Sequence, residues 1–180
     1  LGTALLLGVG GDAEIVRLDA VDPISNTITV GRGCCDTTPA AWPMGTRVWA
    51  FDEFAAGDPT EYVDGEVITA AVLSRTGTGL LDVVLAPQDS ITLASRAARP
   101  YPPGLLRIAD ELSPAEAYPA ERIGALTVSW AHRDRLLQQD KLIDAAEASI
   151  GPEPGTTYTV RYYIDGVLDE TETGIAGTSS

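Results

Sequence analysis

The residues of this sequence that could do acid–base chemistry are few and scattered. His132 is the only histidine among the 180 residues. As a general base it would need a nucleophile and an orienting group, and the nearby sequence offers only Ser129 and Asp134. Without a second catalytic signature, this pattern favours a hydrogen-bonded histidine at the end of a strand. We therefore predict no catalytic residue and no enzymatic activity.

The two cysteines, Cys34 and Cys35, are adjacent. Neighbouring cysteines cannot staple distant segments, and no second cysteine pair or histidine cluster is present to complete a zinc site. The pattern favours two small, partly buried residues in a turn. We predict no disulfide framework, no metal site and no cofactor-binding residue here.

The acidic loop 52–64 is the remaining candidate for a ligand site. Its carboxylates could supply oxygen ligands to calcium, and they are Asp52, Glu53, Asp58, Glu61 and Asp64. The loop lacks the pattern with a glycine at the turn and a closing bidentate glutamate, so a solvated acidic surface is the favoured interpretation. Calcium binding stays open at this stage.

Charge and hydropathy exclude two classes of partner. The formal net charge is −14, from 26 acidic and 12 basic residues, and such a surface repels nucleic-acid phosphates. No apolar run reaches the roughly 18 residues of a membrane span, so no membrane insertion is expected. The hydrophobic fraction of 44% is enough to form a core.

Alternating apolar residues predict strands that would position any site. Residues 126–130 and 158–164 each alternate large apolar side chains with polar ones, the period of a strand with one buried face. Each carries an aromatic residue for the core, Trp130 in the first and Tyr158 in the second. Further short strands are predicted at 4–7, 14–21, 27–32, 47–51, 66–73, 80–85, 90–93 and 105–108. The fold class is therefore all-β, beginning with a small β-barrel or sandwich.

A proline-rich stretch, Arg99-Pro-Tyr-Pro-Pro-Gly104, interrupts this series of strands. Prolines stiffen a chain into an extended spacer, so we predict a linker at 99–104 between domains at 1–98 and 105–180. In the second domain, a capping box at 113–116 predicts a helical turn up to Tyr118, and 136–148 has the composition of a partly helical insertion.

Three motifs in the first domain carry a family resemblance. They are Thr29-Val-Gly-Arg-Gly33, Asp36-Thr-Thr-Pro39 and Gly45-Thr-Arg-Val-Trp49. This arrangement resembles a strand–loop–strand module of tail-tip, hub and fibre proteins of tailed bacteriophages. The family commonly has a histidine where this chain has Trp42. The stretch from Arg96 to Gly104 is similar to the arginine- and proline-rich junction of the same proteins.

The second domain resembles a fibronectin type III or immunoglobulin-like module. Residues 126–130 resemble its second strand, 158–162 its third, and Gly177-Thr-Ser-Ser180 the approach to its fifth. On that alignment the last two strands are missing, so we expect the domain to be incomplete at its C-terminus. The long insertion between Trp130 and Tyr158 is the part most similar to phage tail proteins.

The resemblance implies a structural component of a phage tail tip, hub or fibre, located in the virion and assembled in the host cytoplasm. Its expected partners are other tail proteins, further copies of the chain and a receptor on the host surface. An alternative is a carbohydrate-binding or adhesion module of a secreted bacterial protein. A third is a fragment of a glycoside hydrolase, whose paired carboxylates the sequence cannot place.

Overall fold

The computed structural model describes residues 3–50, 57–113, 125–139 and 141–180. These residues form strands, three single 3-10 turns and one short α-helix, which confirms the expected all-β class. The strands are β1 (Thr3–Leu7), β2 (Glu14–Asp22), β3 (Thr27–Gly31), β4 (Val48–Ala50), β5 (Val67–Ala71), β6 (Arg75–Thr76), β7 (Gly79–Leu80), β8 (Gln88–Thr92), β9 (Gly104–Ile108), β10 (Glu111–Leu112), β11 (Val128–Ala131), β12 (Tyr158–Ile164) and β13 (Val167–Ile175), and the helix is α1 (Arg135–Gln138).

The chain divides into two compact units, one made of residues 1–55 with 100–180 and the other of residues 56–99. The predicted linker at 99–104 coincides with the C-terminal end of the smaller unit. The other end, at 55/56, lies just before Gly57 and Pro59, a turn signal that the predicted boundaries did not use. This grouping differs from the predicted domains at 1–98 and 105–180, because residues after 104 bond directly to the first sheet.

The first sheet of the larger unit is antiparallel with the order β3-β2-β1-β4. Leu5 and Val16, which lie opposite each other on β1 and β2, are buried on one face of this sheet, and the adjacent Ala4 is buried on the other. The β2–β3 connection is a hairpin, as predicted, and Asp22 fixes its turn by accepting a hydrogen bond from the amide of Ile24.

Two smaller sheets of the same unit form the sandwich-like part. One has the order β10-β9-β11, and the other is the β12–β13 hairpin. Trp130 on β11 packs edge-to-face against Tyr158 on β12, with ring centroids 5.2 Å apart. Beyond β13 the chain returns to β11, where the amide of Ser180 donates to the carbonyl of Val128. No sheet among the described residues closes into a barrel, so the barrel alternative is not realised.

The smaller unit contains two separate ribbons of two strands each, β5–β8 and β6–β7. The strand predicted at 80–85 is wrong beyond Leu80, because Val83–Leu85 forms a 3-10 turn. The side chain of Asp82 caps this turn by accepting a hydrogen bond from the amide of Val84, which favours a turn over an extended strand.

The helix predicted within 136–148 is limited to the four residues of α1. Asp134 caps it and accepts hydrogen bonds from the amides of Leu136 and Leu137. Residues 142–147 leave the helix because their backbone groups bond to other segments, as described below. The predicted turn at 113–118 lies outside the described residues from position 114 onwards.

Candidate functional site

Glu14, at the start of β2, is a fully buried carboxylate with charged and neutral donors on both oxygens. Arg32 binds both, with Nε 2.7 Å from Oε1 and Nη2 2.7 Å from Oε2. The indole Nε1 of Trp42 donates to Oε2 at 2.7 Å, and the amides of Gly33 and Ala40 complete the set. The carboxylate therefore ties strand β2 to the whole loop from 32 to 42.

The electrostatics of Glu14 are those of an ionised, satisfied group. Burial acts to raise the pKa of its carboxyl, but the hydrogen bonds from Arg32, Trp42, Gly33 and Ala40 outweigh it and hold the pKa below its ordinary value. Because every donor stabilises the anion, Glu14 is not suited to act as a general acid near neutral pH. The arrangement is typical of a structural ion pair.

Two glycines allow the loop to pack this closely. Gly8 has φ +81°, and a Cβ built there would lie 2.6 Å from Cζ3 of Trp42. Gly33 has φ +57°, and its Cβ would lie 2.6 Å from Cδ of Pro39 and 3.0 Å from Cβ of Ala145. The side chain of Trp42 thus packs on Gly8 and donates a hydrogen bond to Glu14.

Residues 142–147, which we call the strap, join the first sheet to the sandwich-like part. The amide of Ala145 donates to the carbonyl of Arg32 at 2.8 Å, and the carbonyl of Ala145 accepts from the amide of Leu105 at 2.6 Å. The amide of Arg32 donates in turn to the carboxylate of Asp144 at 3.0 Å. One residue of the strap therefore bonds both the end of β3 and the start of β9.

A second charged residue of the first sheet also binds the strap. Arg17, on β2, donates through Nη1 to the carbonyl of Leu142 at 2.6 Å and to Oε2 of Glu147 at 2.9 Å. Its Nε pairs with Asp19 on the same strand at 2.6 Å. The hydrogen bonds to Asp19 and Glu147 hold the guanidinium of Arg17 over the strap. The long side chain of Arg17 therefore also packs against the strap.

From the other side, buried Arg133 reaches the same strap. Its guanidinium donates to the carbonyls of Ile143 and Asp144, and its Nε donates to Oε1 of Gln138, at 3.1–3.4 Å. Burial lowers the pKa of Arg133, although nearby anionic groups act in the opposite direction. The amide nitrogen of Gln138 is buried without a hydrogen-bond partner within the described part of the chain.

Gly104 lies at the start of β9, where this strand meets the strap. We call the region in which the first sheet, the strap and β9 meet the joint. A Cβ at this position would lie 2.7 Å from the carbonyl oxygen of Ala145 and 3.3 Å from Cδ of Arg133. Such a contact with backbone cannot be relieved by a side-chain rotation. The close approach of β9 to the strap therefore requires glycine at position 104. This glycine is also the last residue of the proline-rich stretch.

His132 lies directly after β11, the position that the sequence favoured. Its Nδ1 is 2.9 Å from the hydroxyl of Tyr158, and the two rings stack with centroids 5.7 Å apart. Its backbone amide donates to the hydroxyl of Ser149. Asp134, considered as an orienting group, instead caps α1 with its carboxylate. The geometry is that of a histidine holding two strands together.

Neither cysteine forms a disulfide, and both occupy the turn predicted for them. Cys34 is fully buried, and burial raises the pKa of its thiol to about 11. Cys35 has φ +57° and is partly buried, close to the hydroxyl of Tyr101, whose pKa is raised mainly by burial. A thiol with a pKa this high is protonated at neutral pH and is a poor nucleophile.

The acidic loop shows no cation site in the part that is described, residues 57–64. Asp58 accepts hydrogen bonds from Thr60 and Tyr62, and these bonds lower its pKa. Asp64 accepts from the hydroxyl of Ser95. Within the described ranges no three metal-ligating side chains come together, and residues 52–56 lie outside those ranges. No helix in the described ranges is long and apolar enough to cross a membrane.

Sequence reasoning missed the central residues of this joint. Glu14, Arg17 and Arg133 read as ordinary polar positions. The partners of Glu14 and Arg17 are at least 18 positions away, apart from Asp19, and those of Arg133 lie in the irregular stretch 138–144. A weak signal existed in Glu14, which begins one of the two longest predicted strands of the first domain and lies on its apolar side. No protein-family model matches the chain, and no curated protein matches it either.

Proposed function

We propose that this chain is a structural component of the tail tip, hub or fibre of a tailed bacteriophage, without catalytic activity of its own. It contributes to the assembly of the tail and to attachment to the host. The proposal takes its identity from the motifs at 29–33, 36–39 and 45–49 and from the junction at 96–104. Its physical support comes from what these motifs do in the fold.

The single observation that carries the proposal is the convergence of the motif at 29–33 and the junction at 96–104 on the strap. Arg32 and Gly33, from the first motif, contact Asp144 and Ala145. Gly104, at the end of the junction, approaches the carbonyl of Ala145. Two of the four stretches that resemble phage tail proteins therefore take part in joining the first sheet to the sandwich-like part.

The use of the charged groups supports the same function. The buried charges described here, Glu14 and Arg133, are engaged by donors or acceptors that fix backbone segments. Such a pattern stabilises one geometry, and among the described residues no nucleophile, base and oxyanion donor converge. A protein that must hold neighbouring subunits in register needs this kind of rigidity more than it needs reactive groups.

The proposal is tested with tailed particles induced from the bacterium whose genome encodes the chain. The gene is deleted and then supplied in trans as wild type, as Gly104→Ala or as Gly177→Ala. Gly177 is the matched control, because it also lacks a positive φ and a Cβ there meets no atom within 4 Å. Particles are purified by density and counted by electron microscopy and by plaque formation.

We expect deletion to remove complete tails, wild type and Gly177→Ala to restore them, and Gly104→Ala to restore at most about a tenth, given a steric cost above one kcal/mol. We also expect peptides of the chain in the purified particles. Complete, infectious tails without the chain, or the absence of its peptides from them, would contradict the proposal.

A further inference from the structure

The tip of the β12–β13 hairpin is apolar on both of its faces. It contains two cross-strand pairs, Tyr163 opposite Leu168 and Ile164 opposite Val167, and successive pairs point to opposite faces. All four residues are exposed, by 50% to 70%. Together they present on the order of a few hundred Å² of contiguous apolar surface, a size that often marks an interaction site.

The base of the same hairpin is covered by the rest of the larger unit. Tyr158 and Tyr162 lie on one face and are half-buried. The ring of Tyr158 packs on Trp130, and the hydroxyls of Tyr162 and Ser180 share a hydrogen bond of 2.7 Å. Ile164 is the next residue on that face, and it is exposed. The tip therefore extends beyond the surface that covers the base.

A tight turn holds the tip in one conformation. Only Asp165 and Gly166 connect the paired residues Ile164 and Val167, and their φ angles are +49° and +79°. Positive φ at both positions is typical of the type I′ turn, whose twist matches that of the two strands. The tip is therefore preorganised and loses little conformational entropy on binding.

Carboxylates surround the apolar residues of the tip. Asp165 lies in the turn, and Asp169 and Glu170 follow Leu168 on β13. Residues 163–170 thus carry three negative charges and no basic residue, whereas the whole chain averages less than one net negative charge per eight residues. Within the described part of the chain, these three carboxylates have no hydrogen-bond or ion-pair partner. The apolar patch therefore has an uncompensated negative rim.

The β2–β3 hairpin shows that an exposed turn does not by itself produce this arrangement. Ile24 in its turn is also exposed. However, the carboxylate of Asp22 accepts a hydrogen bond from the amide of Ile24, and the carboxylate of Asp19 pairs with Arg17. The charges of that hairpin are used by its own fold, whereas those of the β12–β13 tip are available to a partner.

We propose that the tip of the β12–β13 hairpin, residues 163–170, docks into an apolar cleft of another protein, and that lysine and arginine residues line the rim of this cleft. The two apolar faces of the tip pack on the walls of the cleft, and the carboxylates pair with its rim. An apolar centre within a polar rim is the usual anatomy of a protein interface. The inference goes beyond the proposed function, because it assigns a docking surface and the chemistry of its partner.

The charge of the tip disfavours two other occupants. A second copy would bring a net charge of −14, and a symmetric contact would place carboxylates against carboxylates. Anionic lipid headgroups would repel the same carboxylates. Salt reduces both repulsions, whereas it weakens the attraction to a basic rim. The sign of the salt effect therefore distinguishes the proposed partner from the other two.

The first measurement is site-specific photo-crosslinking in the bacterium whose genome encodes the chain, with p-benzoylphenylalanine in place of Leu168. The same photoreactive residue in place of Ile24 is the matched control, because Ile24 is an exposed apolar residue of another hairpin in the same unit. Mass spectrometry identifies the crosslinked protein and the crosslinked residue. We expect the probe at 168, but not the probe at 24, to join one protein at an apolar site flanked by lysine or arginine.

The second measurement is the dissociation constant of the purified chain and the identified protein, by calorimetry at about 0.05 M and about 0.5 M salt. The variants are Leu168→Ser for the apolar patch and Glu170→Gln for the rim. Their matched controls are Ile24→Ser and Glu111→Gln, which make the same type of change at other exposed positions of the larger unit. Circular dichroism reports whether each variant is folded.

We expect Leu168→Ser to raise the dissociation constant about tenfold or more, and Glu170→Gln about threefold. The controls should change it less than about twofold, and the higher salt concentration should weaken wild-type binding. The inference is overturned if the probe at 168 crosslinks nothing, only lipid or only a second copy. Binding that is unaffected by Leu168→Ser, or that strengthens with salt, overturns it as well.

These outcomes are separable from those of the proposed function. If the tip binds such a protein but the chain is absent from tail particles, the docking surface stands and the proposed function fails. If the chain is present in the particles but the probe at 168 crosslinks nothing, the proposed function stands and the docking surface fails. If Leu168→Ser is unfolded, Glu170→Gln and the salt dependence of wild-type binding decide the question.

Discussion

The guanidinium of Arg32 and the carboxylate of Glu14 form a two-point ion pair in which both N–O distances are 2.7 Å. The carboxylate is fully buried, while the arginine side chain is 36% exposed. The backbone of Arg32 also bonds Asp144 and Ala145 of the strap. This one residue thus connects the interior of the first sheet with the segment that reaches β9.

We predict that Glu14→Gln lowers the free energy of unfolding by about 2–3 kcal/mol, because the neutral amide leaves buried donors without an acceptor and weakens the pair with the partly exposed Arg32. The measurement is urea unfolding followed by tryptophan fluorescence. Asp19→Asn is the matched control, since the Arg17–Asp19 pair is partly exposed and should contribute about 0–1 kcal/mol. Equal losses for the two variants would contradict the structural role of Glu14.

Acid should destabilise the protein through the same carboxylate. The folded state holds the pKa of Glu14 below its ordinary value of 4.5, so below that pH the unfolded chain binds more protons than the folded one. This contribution to stability is therefore fully present above the ordinary pKa of 4.5 and is lost as the pH falls through the lowered pKa of the folded state. Asp22 and Glu147, whose pKa values are also lowered by hydrogen bonds, contribute to the same slope.

The measurement is the free energy of unfolding of wild type and Glu14→Gln across this range of pH. The variant should be less stable at neutral pH but show a shallower loss on acidification. Parallel curves for the two proteins would mean that Glu14 has the same pKa in the folded and unfolded states, contrary to the geometry of its five donors.

Trp130→Ala should reduce the stability of the larger unit by about 3–5 kcal/mol, the usual cost of truncating a buried tryptophan. Trp130 is 7% exposed and packs on Tyr158. The control is Trp49→Ala, because Trp49 is 45% exposed and contacts chiefly Arg47, for a cost of about 1 kcal/mol or less. The measurement is the thermal unfolding of both variants. A shift in melting temperature near zero for Trp130→Ala would mean that Trp130 is not part of the core.

Local patterns in the sequence predicted the strands well. The alternation in 158–164 gave the bounds of β12, and the turn residues after Asp22 gave the β2–β3 hairpin. The predictions of a strand at 80–85 and of a helix within 136–148 were less accurate. Asp82 and Asp134 cap short turns there, and long-range hydrogen bonds then hold the chain in an irregular path. Local propensity does not contain those bonds.

Local sequence patterns could not predict the joint between the first sheet, the strap and β9. The contacts of Arg32 with Glu14 and of Ala145 with Leu105 join residues that are 18 and 40 positions apart. Without knowledge of which segments meet, the strap looked like the continuation of a helix, and Gly104 looked like the end of a linker. The requirement for glycine at 104 becomes visible only when the carbonyl of Ala145 is placed against it.

The most direct measurement of the central claim is a density map of intact tailed particles from the bacterium that encodes this chain. The account predicts density in the tail tip, hub or fibre into which the first sheet, the strap and the β9–β11 sheet fit as one body. Repeated copies of the chain should be present in that density. A complete tail map at side-chain detail, with every density assigned to other chains, would contradict the account.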